Sequence, residues 1–127
     1  LALRDAAGIV DLTAFSMFDV VGPKACEAVQ SIVVLDVDVA DGRVVYTPVL
    51  TPSGGFRCDL TVMRLGRNQF RVVTGGAPGN ADRKWFEDHL PADGGAHVVD
   101  QTSAYTTIGI WGPKAREILQ SLTRDDL

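Results

Sequence analysis

Several features that would define a class of function are scarce or absent in this sequence. The 127 residues contain two cysteines and two histidines, and neither Cys26 nor Cys58 belongs to a CxxC motif or a Cys/His cluster. A disulfide framework and a zinc site are therefore not indicated, and we expect no metal. Lysine and arginine form no run interleaved with aromatic residues, and the net charge is −4 with a pI near 5.0. Nucleic acid is therefore not expected as a partner.

Long apolar segments are also missing. No stretch approaches the ~20 residues that a membrane span requires. The N-terminal segment has neither a basic lead nor an apolar core followed by a cleavage site. We therefore expect no membrane partner and a cytoplasmic location, either in the cytosol or in an organelle matrix. Apolar residues make up 46% and charged residues 22% of the chain, which is typical of a globular protein.

What the sequence does contain is a repeated segment. FDVVGPKACEAVQSI at 18–32 and IGIWGPKAREILQSL at 108–122 share seven of fifteen residues without a gap. Equivalent positions such as Gly22 and Gly112 are 90 residues apart, too far for a solenoid repeat of about 20 to 50 residues. Each copy predicts a strand, a glycine cap, a proline at the first helical position and a helix with one apolar face. We expect two related halves packed about a pseudo-twofold axis, with both helices on one side of a common sheet.

Between the two copies, short apolar segments alternate with turn residues. Strands are predicted at 43–50, 56–65, 70–75, 97–102 and 105–111, and a helix is predicted at 80–90. The first three of these strands are joined by short Gly-rich or Asn-containing turns, which predicts an antiparallel meander. The fold class is therefore α+β, a mainly antiparallel sheet with helices and two pseudo-repeated strand-turn-helix halves.

Asp59 is the most unusual residue in these strands, because aspartate is depleted in strand interiors. Regular alternation places Leu60 on the core face, and Arg57 and Asp59 together on the other face. One interpretation is a solvated surface with an Arg57–Asp59 ion pair. The other is a cleft in which the carboxylate holds a cation or acts as a base. Tyr46, in the preceding strand, is of a type found more often in or near the core than as a binding platform.

The chain resembles the folate-binding domain of the aminomethyltransferase family in the order of six segments, which are GIVDLT, FDVVGPKA, GRVVYTPVLTPSGGFRCDLTV, FRVVTGGA, DQTSAY and IGIWGPKAREIL. That family includes the T-protein of the glycine cleavage system and the matching C-terminal portions of sarcosine and dimethylglycine dehydrogenases. The segment VVYTPVL is more similar to the dehydrogenase-associated branch. The resemblance implies that residues 1–127 are the N-terminal part of an aminomethyltransferase-type folate-binding domain within a longer chain.

The resemblance also implies an activity and a set of site residues. The activity is transfer of an aminomethyl or methylene one-carbon unit to tetrahydrofolate. The catalytic residue is Asp59, directly before the leucine of the GG-x3-DL element, where a carboxylate stabilises a developing cation or deprotonates the attacking amine. Where this chain has Cys58, family members usually have aspartate or another small polar residue, a departure that falls on the opposite face. The implied folate contacts are Phe15, Tyr46, Asp59, Val73, Thr74 and Gly75.

Cofactor and partners are likewise implied by the resemblance. The cofactor is tetrahydrofolate, with FAD only where the parent chain has a separate dehydrogenase domain. The partners are folate and a small amine-derived one-carbon donor, and the family also allows a lipoyl carrier protein or a flavin domain. In the family, the glutamate and arginine that bind the folate come later than position 127. We therefore expect residues 1–127 alone to bind folate weakly or not at all. The alternatives are a non-catalytic folate-binding or assembly module on the same fold, and a scaffold half within an oxidase.

Overall fold

A computed structural model describes all residues from Leu1 to Leu127, and the chain alternates short helices with antiparallel strands. The helices are α1 (Ala2–Asp5), α2 (Ala25–Ile32), α3 (Gly79–Asp88) and α4 (Ala115–Gln120). The strands are β1 (Gly8–Asp11), β2 (Ser16–Val21), β3 (Val44–Leu50), β4 (Phe56–Gly66), β5 (Gln69–Thr74), β6 (His97–Asp100) and β7 (Ile108–Trp111). The predicted α+β class and the β3-β4-β5 meander are confirmed. None of the four helices has the length and apolarity of a membrane span.

The chain divides into two compact units. Unit 1 comprises residues 1–14 and 106–127, and unit 2 comprises residues 15–105. Unit 2 holds a five-stranded antiparallel sheet in the order β3-β4-β5-β2-β6, whereas unit 1 holds the two-stranded sheet β1-β7. The expectation that both copies of the repeat share one sheet is therefore wrong, because β2 and β7 lie in different sheets.

The apolar core lies in unit 2. Alternate residues of its central strands, such as Leu60 and Val72, are buried beneath α2 and α3. Phe18 of β2 meets Phe86 of α3 edge to face, with ring centroids 5.1 Å apart. Helix α2 contributes the apolar stripe that its sequence predicts, which is Ala25, Ala28, Val29 and Ile32. All buried apolar side chains of the protein belong to this unit.

Glycine is required at the same position of each repeat copy. Gly22 has φ +128° and Gly112 has φ +116°, a region that side chains with a Cβ rarely adopt. A Cβ on Gly22 would also lie 2.5 Å from the carbonyl oxygen of Gly95, and a Cβ on Gly112 would lie 2.5 Å from that of Ala6. In each copy the backbone therefore passes the segment just before an outer strand too closely for any side chain.

The two repeated helices begin slightly later than the sequence predicts. The N-cap residues are Lys24 and Lys114, and α2 and α4 begin at Ala25 and Ala115. The preceding Gly-Pro pair forms a tight turn instead of the cap and first helical residue, because the N–H of each alanine bonds to the carbonyl of the glycine three residues before it, at 3.0 Å in both copies. The predicted order of strand, turn and helix is confirmed, but the predicted glycine cap and first helical proline are wrong, because each helix starts two residues later.

The repeat extends further than its sequence identity shows. Strand β6 pairs with β2 as β1 pairs with β7. Each of these outer strands ends in an Asp-x-Thr turn, in which the threonine N–H donates to the aspartate Oδ1 at 2.9 Å, in Asp11–Thr13 and in Asp100–Thr102. With these outer strands included, the repeat is β1-β2-α2 in the first copy and β6-β7-α4 in the second. Unit 1 then combines β1 of the first copy with β7 and α4 of the second, and unit 2 combines β6 of the second copy with β2 and α2 of the first.

Candidate functional site

The face of the five-stranded sheet opposite α2 and α3, the distal face, carries the expected catalytic residue. Tyr46 of β3 pairs with Thr61 of β4, and Thr61 pairs with Val73 of β5. Paired residues share a face, as do residues two apart along a strand, so Asp59 joins this group. Leu60 points the other way and is buried. We call Tyr46, Asp59, Thr61 and Val73 the distal site.

Tyr46 and Asp59 are in direct contact. The Tyr46 hydroxyl donates a hydrogen bond to Oδ2 of Asp59, and this hydrogen bond raises the pKa of Tyr46 above its ordinary value. Tyr46 is 65% exposed, so the expectation of a core or half-buried tyrosine is wrong. Asp59 is also exposed. The pair therefore presents a carboxylate, held by a phenol, at the surface of unit 2.

The remaining expected folate contacts lie at the adjoining ends of β2 and β5. Ser16 pairs with Thr74, and continuing this register by one residue places Phe15 beside Gly75, at the same end of the sheet as Asp59. Thr74 is buried, and its hydroxyl donates to the carboxylate of Asp82 in α3 at 2.6 Å. The side chain of Thr74 thus faces the helices, and only its backbone adjoins the distal site. The folate contacts stay predictions.

Arg57 departs from the alternation that the sequence predicts. Val49 pairs with Cys58, but Leu50 pairs with Phe56, so Arg57 is the extra residue of a β-bulge. A bulge reverses the facing of the residues beyond it. Arg57 and Cys58 consequently both face the helices.

The Arg57 guanidinium lies against α3. Its Nη2 donates to the carbonyl oxygen of Ala81 at 3.1 Å and is 3.7 Å from Oδ1 of Asp82. Its central carbon is 4.3 Å from the ring centroid of Trp85. The expected Arg57–Asp59 surface ion pair is therefore wrong. Asp59 has no cationic partner, so its charge is available to a ligand.

A second polar group on the distal face was missed in the sequence. Asp19 of β2 and Arg71 of β5 are cross-strand partners, joined by two hydrogen bonds of 2.8 and 3.0 Å. These bonds raise the pKa of Arg71. The Tyr105 ring covers the guanidinium at 4.2 Å, and its hydroxyl accepts a hydrogen bond from Nη2 at 3.2 Å. The signal was present in FDVV and FRVV, two apolar strands with one opposite charge each.

Two grooves of unit 2 lie away from the distal site. One, of about 310 Å³, is lined by the end of α2, the β3–β4 turn and α3, with Trp85 and His89 among its residues. A second lies beside it, between Lys24 and Pro91. No member of the distal site lines either groove. No group of three or more His, Cys, Asp or Glu side chains is placed to hold a metal ion.

The fold and the distal site together define an α+β domain that exposes a carboxylate–phenol pair on a sheet surface. The whole chain, residues 1–127, matches the family described as the GCVT N-terminal domain, and it belongs to that family. The resemblance inferred from the sequence is thus confirmed.

Proteins similar to this chain include an oxidase and an aminomethyltransferase. The chain is 36% identical over 127 residues to a 4-methylaminobutanoate oxidase (formaldehyde-forming) of Paenarthrobacter nicotinovorans, covering 98% of this chain and 15% of the oxidase. It is 33% identical over 119 residues to an aminomethyltransferase of Chlorobaculum parvum, covering 93% of this chain and 33% of that protein. The chain therefore spans a third or less of the length of these relatives.

The fold is shared with a solved structure. The glycine cleavage system aminomethyltransferase T of Bartonella henselae superposes with a TM-score of 0.85 at 24% identity, over 93% of this chain and 32% of that one. At this identity the likeness establishes the architecture.

Proposed function

We propose that this chain takes part in folate-dependent one-carbon transfer, moving an aminomethyl or methylene unit to tetrahydrofolate. It would do so within a larger aminomethyltransferase or a dimethylglycine/sarcosine dehydrogenase-like enzyme. The observation that carries the proposal is the exposed Asp59–Tyr46 pair. Asp59 occupies the position that the family resemblance implies for the catalytic residue, and no cation of the protein neutralises it. Membership in the family supports the same reaction class.

Asp59 suits a reaction in which positive charge develops on a donor. Its carboxylate can attract an iminium or ammonium group, and it can accept a proton from an attacking amine. Tyr46 donates to one carboxylate oxygen and so restricts the orientation of the other. Such a fixed carboxylate stabilises charge without having to reorganise during the reaction.

The distal site fits tetrahydrofolate in its chemistry. The ring of Tyr46 and the side chain of Val73 offer a surface for a planar pteridine. Asp59 can accept a hydrogen bond from its N–H groups. When bound, tetrahydrofolate supplies the amine nitrogen that attacks the one-carbon unit. Holding the donor beside it provides the gain from proximity.

The setting of this reaction is part of the proposal. Residues 1–127 would form the N-terminal part of a folate-binding domain in a longer, cytoplasmic enzyme. Its partners would be folate and a small amine-derived donor, together with a lipoyl carrier protein or a flavin domain. FAD would be present only where the parent chain has a dehydrogenase domain.

Asp59→Asn tests the proposal in the full-length protein that carries this chain. The substitution keeps size and hydrogen bonding but removes the charge. We expect the single-turnover rate of methylenetetrahydrofolate formation to fall by roughly 100-fold or more. The dissociation constant of tetrahydrofolate, measured by calorimetry, should change much less, as expected for an interaction made mainly in the transition state.

Asp88→Asn is the matched control, because Asp88 is an exposed carboxylate at the end of α3 and away from the distal site. Its rate should match that of the unsubstituted protein. An unchanged rate in Asp59→Asn would overturn the proposed catalysis. The exposed, open position of the distal site would then favour the second candidate, a non-catalytic folate-binding module, provided that calorimetry still detects folate binding.

A further inference from the structure

One buried carboxylate lies directly behind the distal site. Asp82 is 3% exposed and sits in the first turn of α3. Its Oδ2 accepts the hydrogen bond from Thr74 of β5, and its Oδ1 faces Arg57 of β4. Burial, followed by the charge of Asp82, raises the pKa of the Cys58 thiol to about 11. Asp82 therefore contacts β4, which carries Asp59 on its other face, and the neighbouring strand β5.

Arg57 is held on the helix side at a cost. Its Nε is buried and has no hydrogen-bond partner, and an unsatisfied buried donor is unfavourable. The compensating contacts are the charge of Asp82, the carbonyl of Ala81 and the ring of Trp85. Of these, only Asp82 carries a negative charge. Removing that charge should therefore release the guanidinium.

Once released, the Arg57 side chain could reach Asp59. In a regular strand, residues two apart share a face and lie about 6.6 Å apart, within the reach of an arginine side chain. Without the bulge, Arg57 would thus share the face of Asp59. Beyond the bulge, β4 pairs with β3 only through Leu50 and Phe56, which are 39% and 68% exposed. Neither Leu50 nor Phe56 belongs to the buried core.

We propose that Asp82 is a positioning residue that keeps Arg57 on the helix side of the sheet, and thereby leaves Asp59 free to face a cationic one-carbon donor. The last clause rests on the proposed function. The placement of Arg57 does not, and it can be measured separately. The other charged pair on the distal face, Asp19 with Arg71, is internally compensated and supplies no free cation.

The phenol of Tyr46 reports on the charge next to Asp59. We would follow phenolate absorbance against pH and isolate Tyr46 by subtracting the same variant carrying Tyr46→Phe. In Asp82→Asn, which keeps an acceptor for Thr74, the pKa of Tyr46 should fall by about one pH unit, because a nearby cation favours the phenolate. Adding Arg57→Gln to Asp82→Asn should restore the original titration. A purely structural role of Asp82 would not be rescued by removing the arginine.

The single variant Arg57→Gln keeps the proposal testable even where Asp82→Asn fails to fold. It should leave the titration of Tyr46 unchanged, because Arg57 is already remote from Asp59, and a raised pKa would contradict the proposal. An unchanged titration in folded Asp82→Asn, or a lowered one that the double variant does not restore, would also overturn it. One-carbon transfer should fall about tenfold in Asp82→Asn and recover in the double variant. A titration that responds as expected while transfer does not would retain Asp82 as the residue that positions Arg57 and count against the proposed function alone.

Discussion

The two copies of the strand-turn-helix segment share one local geometry and differ in their surroundings. In unit 2, the apolar stripe of α2 is buried throughout, from Ala25 to Ile32. In unit 1, helix α4 buries no residue, and Leu122, the equivalent of Ile32, is 79% exposed. The turns that precede the two helices nevertheless have glycine φ values within 12° of each other, at +128° and +116°.

This difference separates two levels of structure. The turn and the helix start depend on Gly, Pro and the neighbouring backbone, which are the same in both copies. Burial depends on the sheet beneath the helix, and unit 2 has five strands where unit 1 has two. A short segment can therefore determine its own conformation, while the burial of its apolar side chains depends on the sheet beneath it.

We expect the largest difference between the two copies when the last apolar residue of each repeated segment, Ile32 or Leu122, is truncated. Ile32→Ala leaves a cavity beneath α2 and should lower the free energy of unfolding by about 3 kcal/mol. Leu122→Ala removes an exposed side chain and should change it by less than about 0.5 kcal/mol. Urea unfolding of the 127-residue chain, followed by circular dichroism, measures both. Equal losses would show that Leu122 is as well packed as Ile32.

Replacing the turn glycine should instead destabilise the two copies to the same extent. Gly22→Ala and Gly112→Ala each introduce strain and a close approach to a carbonyl, together costing about 2 kcal/mol. Amide hydrogen exchange at Lys24 and Lys114, whose N–H groups bond to the same carbonyls, should accelerate by roughly thirtyfold in the respective variant.

Gly42→Ala is the control for the glycine experiment. Gly42 also has a positive φ, at +83°, but a Cβ there would meet nothing within 4 Å. It should therefore show only the conformational cost, about 1 kcal/mol. If exchange at Lys114 were not faster in Gly112→Ala, the second copy would not require glycine at this turn.

The glutamine of the repeat should give a smaller and unequal effect. Gln30 accepts from the N–H of Val37 at 2.9 Å, and Gln120 accepts from that of Leu127 at 3.1 Å. Val37 is 1% exposed, whereas Leu127 is 42% exposed. Gln30→Ala should destabilise the chain by about 1 kcal/mol and Gln120→Ala by less than half of that, because water can replace the second bond. Thermal unfolding measures both effects, and a larger loss of stability in Gln120→Ala than in Gln30→Ala would contradict this prediction.

The lysine of the repeat should have the smallest effect, confined to one copy. Lys24 pairs with Asp93 at 2.5 Å, while Lys114 forms no ion pair. The contact raises the pKa of Lys24 and lowers the pKa of Asp93. Its stabilisation is thus present between the unfolded pKa values of the two groups. It is lost as the pH falls through the folded pKa of Asp93 or rises through that of Lys24.

Lys24→Met should therefore reduce stability slightly at neutral pH and low salt, and Lys114→Met should not. The difference should vanish in high salt, because both partners are exposed and screened. Unfolding midpoints measured at two ionic strengths test this. A difference that persists in high salt would point to packing of the lysine stem instead of charge.

Much of the distal site could be predicted from sequence, because β4 alternates regularly from Cys58 to Arg64. That regularity placed Asp59 and Leu60 on opposite faces correctly. It failed at Arg57, since a bulge depends on how two strands align and not on the residue itself. The contact between Tyr46 and Asp59 needed the β3–β4 register, and the Asp19–Arg71 pair needed the adjacency of β2 and β5, strands about fifty residues apart in the chain.

Four features could be recognised from local sequence alone: the order of strand, turn and helix in each copy, the apolar stripe of α2, the meander and an aspartate within a strand. Each of these follows from steric limits and side-chain patterns among close neighbours in the chain. Three features required the folded structure: the two copies join different sheets, α2 is buried whereas α4 is not, and Arg57 faces away from Asp59. Those outcomes depend on pairing between strands that are distant in sequence, where register and burial are shared properties of both partners.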